Sequence, residues 1–320
     1  MSNLKSIRAI TIACWVLTAA VLIGLTVWVL TSGMSFGGRN VFLGVNISSR
    51  PFEVVGSRSV SAQGVRDMHI DWIAGRVEIR PWDGSEIQIT EFSDRELREG
   101  ETLRLNTQDG TVRIDFWENR APRGNVAPKD LEVLIPRGLS SDLESFTING
   151  MAARVTVSDI AATTFAAETV SGRINLAGIT SERLDAGTMS GRVELFEVSA
   201  NQANLSSVSG RIELARTQIP RLDVNTVSGR HELSGAFEHL SLESVSGRIE
   251  VTSTALPADL RANTVSGRIS LTVPNEGEIS VRHSSASGRF SSEIPVIMHG
   301  SDAQFRLSTT SGRVNIYALR

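Results

Sequence analysis

The sequence predicts an all-β protein, a solenoid built from repeats of about 19 residues behind one N-terminal transmembrane helix, and three observations carry that prediction. Ser-Gly-Arg recurs eight times, with glycines at Gly172, Gly191, Gly210, Gly229, Gly247, Gly267, Gly288 and Gly312, so one structural unit is copied and stacked. Within each unit apolar or small residues alternate, as in Leu222, Val224 and Thr226 or Ile269 and Leu271, and period two means strand. Residues 9–30 carry no charge and are long enough to cross a bilayer as a helix.

Residues 1–34 read as a short cytoplasmic N-terminus followed by the anchor. A cleaved signal peptide has an apolar stretch of only about 7 to 15 residues, so an uncleaved span is expected. Lys5 and Arg8 precede it, which predicts a single-pass protein of the plasma membrane with its N-terminus in the cytoplasm and its C-terminal part outside. Arg39 and Arg50 on the far side keep the asymmetry modest. Cys14 is the single cysteine and falls inside the span, so no disulfide framework and no thiol site are expected beyond it. Residues 35–64, rich in Gly, Ser and Arg, read as a linker.

Residues 65–148 read as an N-terminal β region with hairpins and first coils. Alternating runs at 68–79, 86–90, 103–106, 111–116 and 131–135 are punctuated by the turn dipeptides Asp83-Gly84 and Asp109-Gly110. Ala74-Gly-Arg-Val-Glu-Ile79 and the stretch 149–157 are diverged copies of the later motif, so the solenoid begins upstream of the first Ser-Gly-Arg. Trp72, Trp82, Phe116 and Trp117 concentrate here, and either cap the open core of the first coil or form a ligand platform.

Residues 149–320 form the repeat solenoid. The alternation changes phase across Val-Ser-Gly, which demands a corner or bulge, and glycine tolerates the dihedrals of one. Each unit is therefore two short strands around a glycine corner, too short for a propeller blade and without the helix of a leucine-rich repeat. Eight coils at a strand spacing of roughly 4.8 Å make a rod of about 38 Å. No helix follows residues 314–320 to cover the last coil, so this edge is a candidate for end-to-end self-association.

The net charge of -3 argues against nucleic acid as a partner, since phosphate binding leaves a clear basic excess. The candidate binding feature is the ladder of Arg173, Arg192, Arg211, Arg230, Arg248, Arg268, Arg289 and Arg313, whose guanidinium groups could hold an anionic envelope polymer through bidentate contacts. Glu194, Glu213, Glu232 and Glu250 follow their arginines by two residues on the same strand face and would neutralise much of it. The serines beside glycine, such as Ser228 and Ser246, lack a nucleophile elbow and any fixed histidine, and are expected to bond backbone at the corner. His231 replaces an Ile or Val of the sister coils and is expected to point inward, while His239, His283 and His299 share no metal-ligand spacing. No catalytic, metal or cofactor residues are assigned. Asn204-Leu-Ser206 matches a glycosylation triplet but sits in a strand, and Asn46-Ile-Ser48 is discounted with it.

An N-terminal anchor, a first unit containing Val-Glu-Ile79, the segment Leu-Glu-Val-Leu-Ile-Pro136 and serial Val-Ser-Gly-Arg-Ile-Glu-Leu units resemble the bacterial DUF4097 family, also called adhesin or toastrack domains, over about residues 65–320. The resemblance implies a right-handed β-helix-like stack, often encoded beside envelope-stress components, with no established catalytic activity and no functional residues to transfer. The expected function is a membrane-anchored, non-enzymatic cell-envelope protein whose solenoid presents an elongated surface to a protein or polymer, as an adhesin or envelope-stress component. A bactofilin-like self-associating scaffold is the alternative and a polysaccharide-active enzyme the third class.

Overall fold

The computed structural model describes residues 52–117, 126–275, 278–297 and 303–319. The expected span at 9–30, with Lys5, Arg8 and Cys14, and the triplet at Asn46 lie outside the described residues. Among the described residues no helix is long and apolar enough to cross a membrane.

The described chain is all-β. It contains β1 (Glu53–Ser61), β2 (Asp67–Trp82), β3 (Glu86–Ser93), β4 (Arg104–Gln108), β5 (Thr111–Asp115), β6 (Lys129–Pro136), one helical turn α1 (Arg137–Ser140), and β7 (Leu143–Ser158). The repeats follow as β8 (Ala161–Thr169), β9 (Arg173–Ala177), β10 (Thr180–Thr188), β11 (Arg192–Phe196), β12 (Ser199–Ser207), β13 (Arg211–Gln218), β14 (Arg221–Ala236), β15 (His239–Ser253) and β16 (Asp259–Pro274). Last come β17 (Ile279–Ser285), β18 (Arg289–Ser292), β19 (Val296–Ile297) and β20 (Ala303–Leu319).

Parallel pairing shows how the repeat closes. Arg221 lies beside His239 and Gly235 beside Ser253, in register along β14 and β15. The chain thus completes one circuit in a single repeat and returns one strand spacing, about 4.8 Å, further along. Each rung has two strand segments meeting at the Ser-Gly corner, and the side chains alternate as the sequence predicts. Leu222, Val224 and Thr226 point inward before the corner, and Leu233 does so after it. Inward side chains of successive rungs form one continuous apolar cluster from Val65 to Ile316. Because every rung buries aliphatics against the next, removing a single rung would uncover a core face on each neighbour.

Rungs run in the order β5 with β6, β2, β7, β8 with β9, β10 with β11, β12 with β13, β14, β15, β16, β20, and finally β17 with β18. The solenoid therefore starts well upstream of the first Ser-Gly-Arg, and its eleven described rungs give a stack of about 50 Å rather than eight rungs of 38 Å.

Spatial order departs from chain order at both ends. At the first, β5 and β6 sit outside β2 although they follow it in the chain, and antiparallel strands cover them: β4 on β5, and β3 on β6 with β1 beyond. The segment read as a linker at 35–64 therefore contributes a strand over its last part. Its residues do not alternate, because β1 is held by main-chain pairing to the edge of β3 while most of its side chains stay in solvent. Asp109-Gly110 does turn the β4–β5 hairpin, with Asp109 at φ 52° and Gly110 at φ 78°. Asp83-Gly84 does not join paired strands, since β6 lies between β2 and β3.

At the other end β20 is inserted between β16 and the rung made by β17 and β18, with β19 pairing on the outer side of β17. The expected edge at 314–320 is thus interior, and the edge rung is residues 279–297. The unit of 24 residues between Gly288 and Gly312 is longer than its predecessors, which gives the chain length to double back.

Three of the four aromatics pack together at this first end, while the Trp82 indole N–H donates to the Glu86 carbonyl at 3.0 Å. Trp72 and Phe116 are buried and meet edge to face at 4.8 Å, with Trp117 against Phe116 at 5.2 Å. Beneath them the buried Lys129 ammonium lies 4.2 Å from the Phe116 ring centre and donates to the carbonyls of Phe116 and Glu101 and to the buried Glu91 carboxylate. All three ammonium donors are used, so the buried charge is answered. Burial pushes the Lys129 ammonium below its usual range while Glu91 pulls the other way.

Candidate functional site: the Ser-Gly-Arg corner

The corner is built by close approach of one rung to the next. A Cβ on Gly312 would stand 2.6 Å from the carbonyl oxygen of Gly267, and one on Gly288 would stand 2.7 Å from that of Gly312. The preceding carbonyls crowd Gly172, Gly191, Gly210, Gly229, Gly247 and Gly267 more tightly still. Positive φ occurs at Gly229, Gly247 and Gly267 but not at the other five, so the dihedral argument drawn from sequence accounts for only part of the column. Glycine is needed at the rest because backbone touches backbone.

A second element of the corner went unread in the sequence. Three residues before glycine an inward-facing Thr or Ser hydroxyl accepts the glycine N–H, at 3.1 Å from Gly172 to Thr169, 2.8 Å from Gly191 to Thr188 and 2.8 Å from Gly210 to Ser207. The recurrence of Thr in Thr-Val-Ser-Gly was the available signal. The serine beside glycine donates across rungs instead, from Ser171 to the Met151 carbonyl at 3.3 Å and from Ser228 to that of Val208 at 3.4 Å.

The arginines after each glycine do stack in register. Arg173, Arg192, Arg211, Arg230, Arg248 and Arg268 are successive neighbours, then Arg313 and Arg289 in inverted order. Arg76 and Arg154 extend the column at its start. Both belong to diverged copies of the motif that lack the full Ser-Gly-Arg.

Charge along the column is uneven. In the middle four rungs each arginine faces the glutamate two residues on, with Arg192–Glu194 at 3.0 Å, Arg211–Glu213 at 3.2 Å, Arg248–Glu250 at 3.8 Å and Arg230–Glu232 at 3.9 Å. The hydrogen bond to Glu194, with attraction from Glu213 of the next rung, holds the Arg192 guanidinium above its usual value. These pairs are solvated, so each contributes about 0.2–1 kcal/mol and serves chiefly to offset repulsion between stacked cations. In the last three rungs the position two residues on holds Ser270, Asn315 and Ser291. There Arg268, Arg313 and Arg289 form no ion pair among the described residues, and the same holds at the start of the column for Arg154 and Arg173, followed by Thr156 and Asn175.

Two shallow grooves follow the corner. One of about 610 Å³ runs from Arg154 to Arg230, and another of about 690 Å³ is bounded by Arg248, Arg268, Arg313 and Arg289 with Ser287 and Ser311. The remaining titratable groups do not converge on either. His231 is fully buried between Ile212 and Ile249, as expected from its slot, and neither ring nitrogen finds a partner. His283 is stacked on Phe290 at 5.1 Å in the edge rung, and burial lowers its pKa. Asn204 donates to Asp185 of the neighbouring rung at 2.6 Å. Among the described residues no three His, Cys, Asp or Glu side chains are gathered as metal ligands.

The family model named Toastrack DUF4097 matches residues 65–317, the stretch that holds the column of Ser-Gly-Arg corners. The chain belongs to this family. Among solved structures, this DUF4097 chain is similar to a "putative lipid binding protein" from Parabacteroides distasonis, at 16% identity and a TM-score of 0.54, over 82% of this chain and 96% of that one. It is also similar to a "putative adhesin" from the same organism, at 14% identity and a TM-score of 0.44, over 83% and 98%. The first of these likenesses establishes the fold alone. Among curated proteins, none matches.

Proposed function

We propose that this toastrack protein is a membrane-anchored, non-enzymatic component of the bacterial cell envelope, in which a right-handed β-helix-like solenoid stands outside the plasma membrane and offers its long faces to a protein or polymer. The observation that carries this reading is the filling of the interior. Inward positions are filled from the first rung to the last, chiefly by apolar side chains, so what the fold repeats toward solvent is a ridge of arginine, glycine and serine rather than a reaction chamber. The grooves are shallow, and the titratable groups described are spread along the stack or engaged in pairs. The names carried by structural relatives, adhesin and lipid-binding protein, accord with a surface that binds without turnover.

The uncharged stretch at 9–30 supplies the tether, with the N-terminus cytoplasmic. A reporter enzyme active only outside the cytoplasm, fused after residue 320, tests the topology. Activity is expected. A reporter working only in the cytoplasm would reject this reading in favour of the bactofilin-like scaffold, which needs that location.

A further inference from the structure

We propose that the three distal rungs bind a linear anionic glycan along the line Arg268–Arg313–Arg289, with the compensated arginines of the middle rungs playing no part. The proposal rests on the surface-presenting role above and names its ligand class and its place.

The three guanidinium groups belong to adjacent parallel strands, with Arg268 paired to Arg313 and Arg313 to Arg289. They therefore recur about every 4.8 Å along the stack. Stacking like charges directly opposite one another is unfavourable. In the middle rungs a glutamate answers every arginine, yet in these three the same position holds Ser270, Asn315 and Ser291. The positive charge here is left for a ligand to neutralise, and a chain with acidic groups at regular intervals matches a row of forked donors.

A second, independent feature beside the ladder selects a sugar. Ser291 donates to Asn315 Oδ1 at 2.9 Å, and Asn315 Nδ2 donates to the Tyr317 hydroxyl at 2.9 Å. The Tyr317 side chain is exposed on the same strand as Arg313. An ordered shelf of amide, hydroxyl and exposed ring next to cations suits a glycan, whose hydroxyls need hydrogen bonds and whose ring faces pack on aromatics. The first strands of the same rungs add Arg261, Arg306 and Arg282 in a parallel column, where Asp259 already holds Arg306 at 2.9 Å and Arg261 at 3.4 Å. Those arginines raise the local potential, while the corner column keeps free donors.

Binding of fluorescent polygalacturonate to the full chain tests the proposal, with neutral dextran and phosphatidylglycerol vesicles as further probes. The full chain is expected to bind polygalacturonate, more weakly as salt rises, and to leave dextran free. Combining Arg268→Gln, Arg289→Gln and Arg313→Gln should weaken binding about tenfold or more, a loss of about 1.4 kcal/mol or more, since the uncompensated charges of the line are removed. The matched triple Arg192→Gln, Arg211→Gln and Arg230→Gln should change it less than about twofold, as those charges are already paired. Ser270→Glu with Ser291→Glu, which rebuilds the middle-rung pattern without removing an arginine, should weaken binding as the distal triple does. Equal losses from both arginine triples, no polygalacturonate binding at low salt, or binding of vesicles but not of the glycan would each overturn the proposal. None of these would alter the reporter result, so the site and the surface-presenting role fail separately.

Discussion

His231 is a fully buried inward slot of the described column where a titratable ring replaces an aliphatic, and replacing it with isoleucine gives a prediction with a definite sign. Its neighbours above and below are Ile212 and Ile249, so isoleucine has a shape the column already accepts. Burial alone depresses the His231 pKa to about 4. Above pH 6.5 the ring is neutral in both folded and unfolded chains and adds no pH dependence. As pH falls below 6.5 the unfolded chain takes up a proton that the folded one refuses until about pH 4, so stability drops across that window and then levels. A gap of this size corresponds to about 3 kcal/mol. His231→Ile should remove that loss, and should also stabilise by about 1–3 kcal/mol at pH 7.5, because two buried ring nitrogens without partners disappear. Urea unfolding of both proteins at pH 7.5, 5.5 and 4 measures it, with the slope against urea checked for constancy. His69, His239 and His283 are common to both proteins and cancel in the difference. If the two stabilities fall in parallel from pH 6.5 to 4, the assignment of acid sensitivity to this ring is wrong.

Two further predictions concern the ends of the stack. Lys129→Met alone should cost about 3–5 kcal/mol, by stranding the Glu91 carboxylate in the cap, whereas Lys129→Met with Glu91→Leu should recover most of it, as thermal unfolding of the three proteins would show. Deleting residues 303–320 should cost two rungs rather than one, because β17 and β18 find their sheet partner in β20. Limited proteolysis is expected to digest residues 279–297 in the truncated chain, and protection of that segment would contradict the pairing order.

What the sequence made legible follows from how local each determinant is. Inward and outward alternation, the phase change at Ser-Gly and the inward turn of His231 are properties of neighbouring residues, and the structure repeats them rung after rung. The register of the arginines follows as soon as the units are stacked, and the glutamates two residues on already marked which of them are neutralised. The glycine column was half legible: the residue type announced a corner, but the contact that excludes a side chain at Gly312 comes from Gly267, 45 positions earlier in the chain. The insertion of β20 next to β16 was not legible, since parallel pairing between distant segments leaves no local trace except an unequal repeat length. Lys129 was equally opaque. The lysine outside the N-terminal segment reads as a surface charge until Glu91, Glu101 and Phe116 are brought around it from three other parts of the chain.

The inverted order at the distal end has a consequence for self-association. Had the rungs followed the chain, the last edge would be β20, a strand of 17 residues unbroken from Ala303 to Leu319 and a ready template for another molecule. Insertion buries both of its edges, against β16 on one side and against β17 and β18 on the other. The edge that remains is carried by β17 and β18, strands of 7 and 4 residues, with the 2-residue β19 pairing over the first two residues of β17. β18 and β19 are separated by Glu293, Ile294 and Pro295, and proline withholds a donor from any incoming strand. His283 and Phe290, stacked on one another, sit half-buried over the terminal core face. Growth by end-to-end strand pairing therefore meets the least regular backbone of the stack, and the longest strand is kept away from it. The same insertion brings Arg313 between Arg268 and Arg289, so the device that blunts the edge also assembles the uncompensated cationic line.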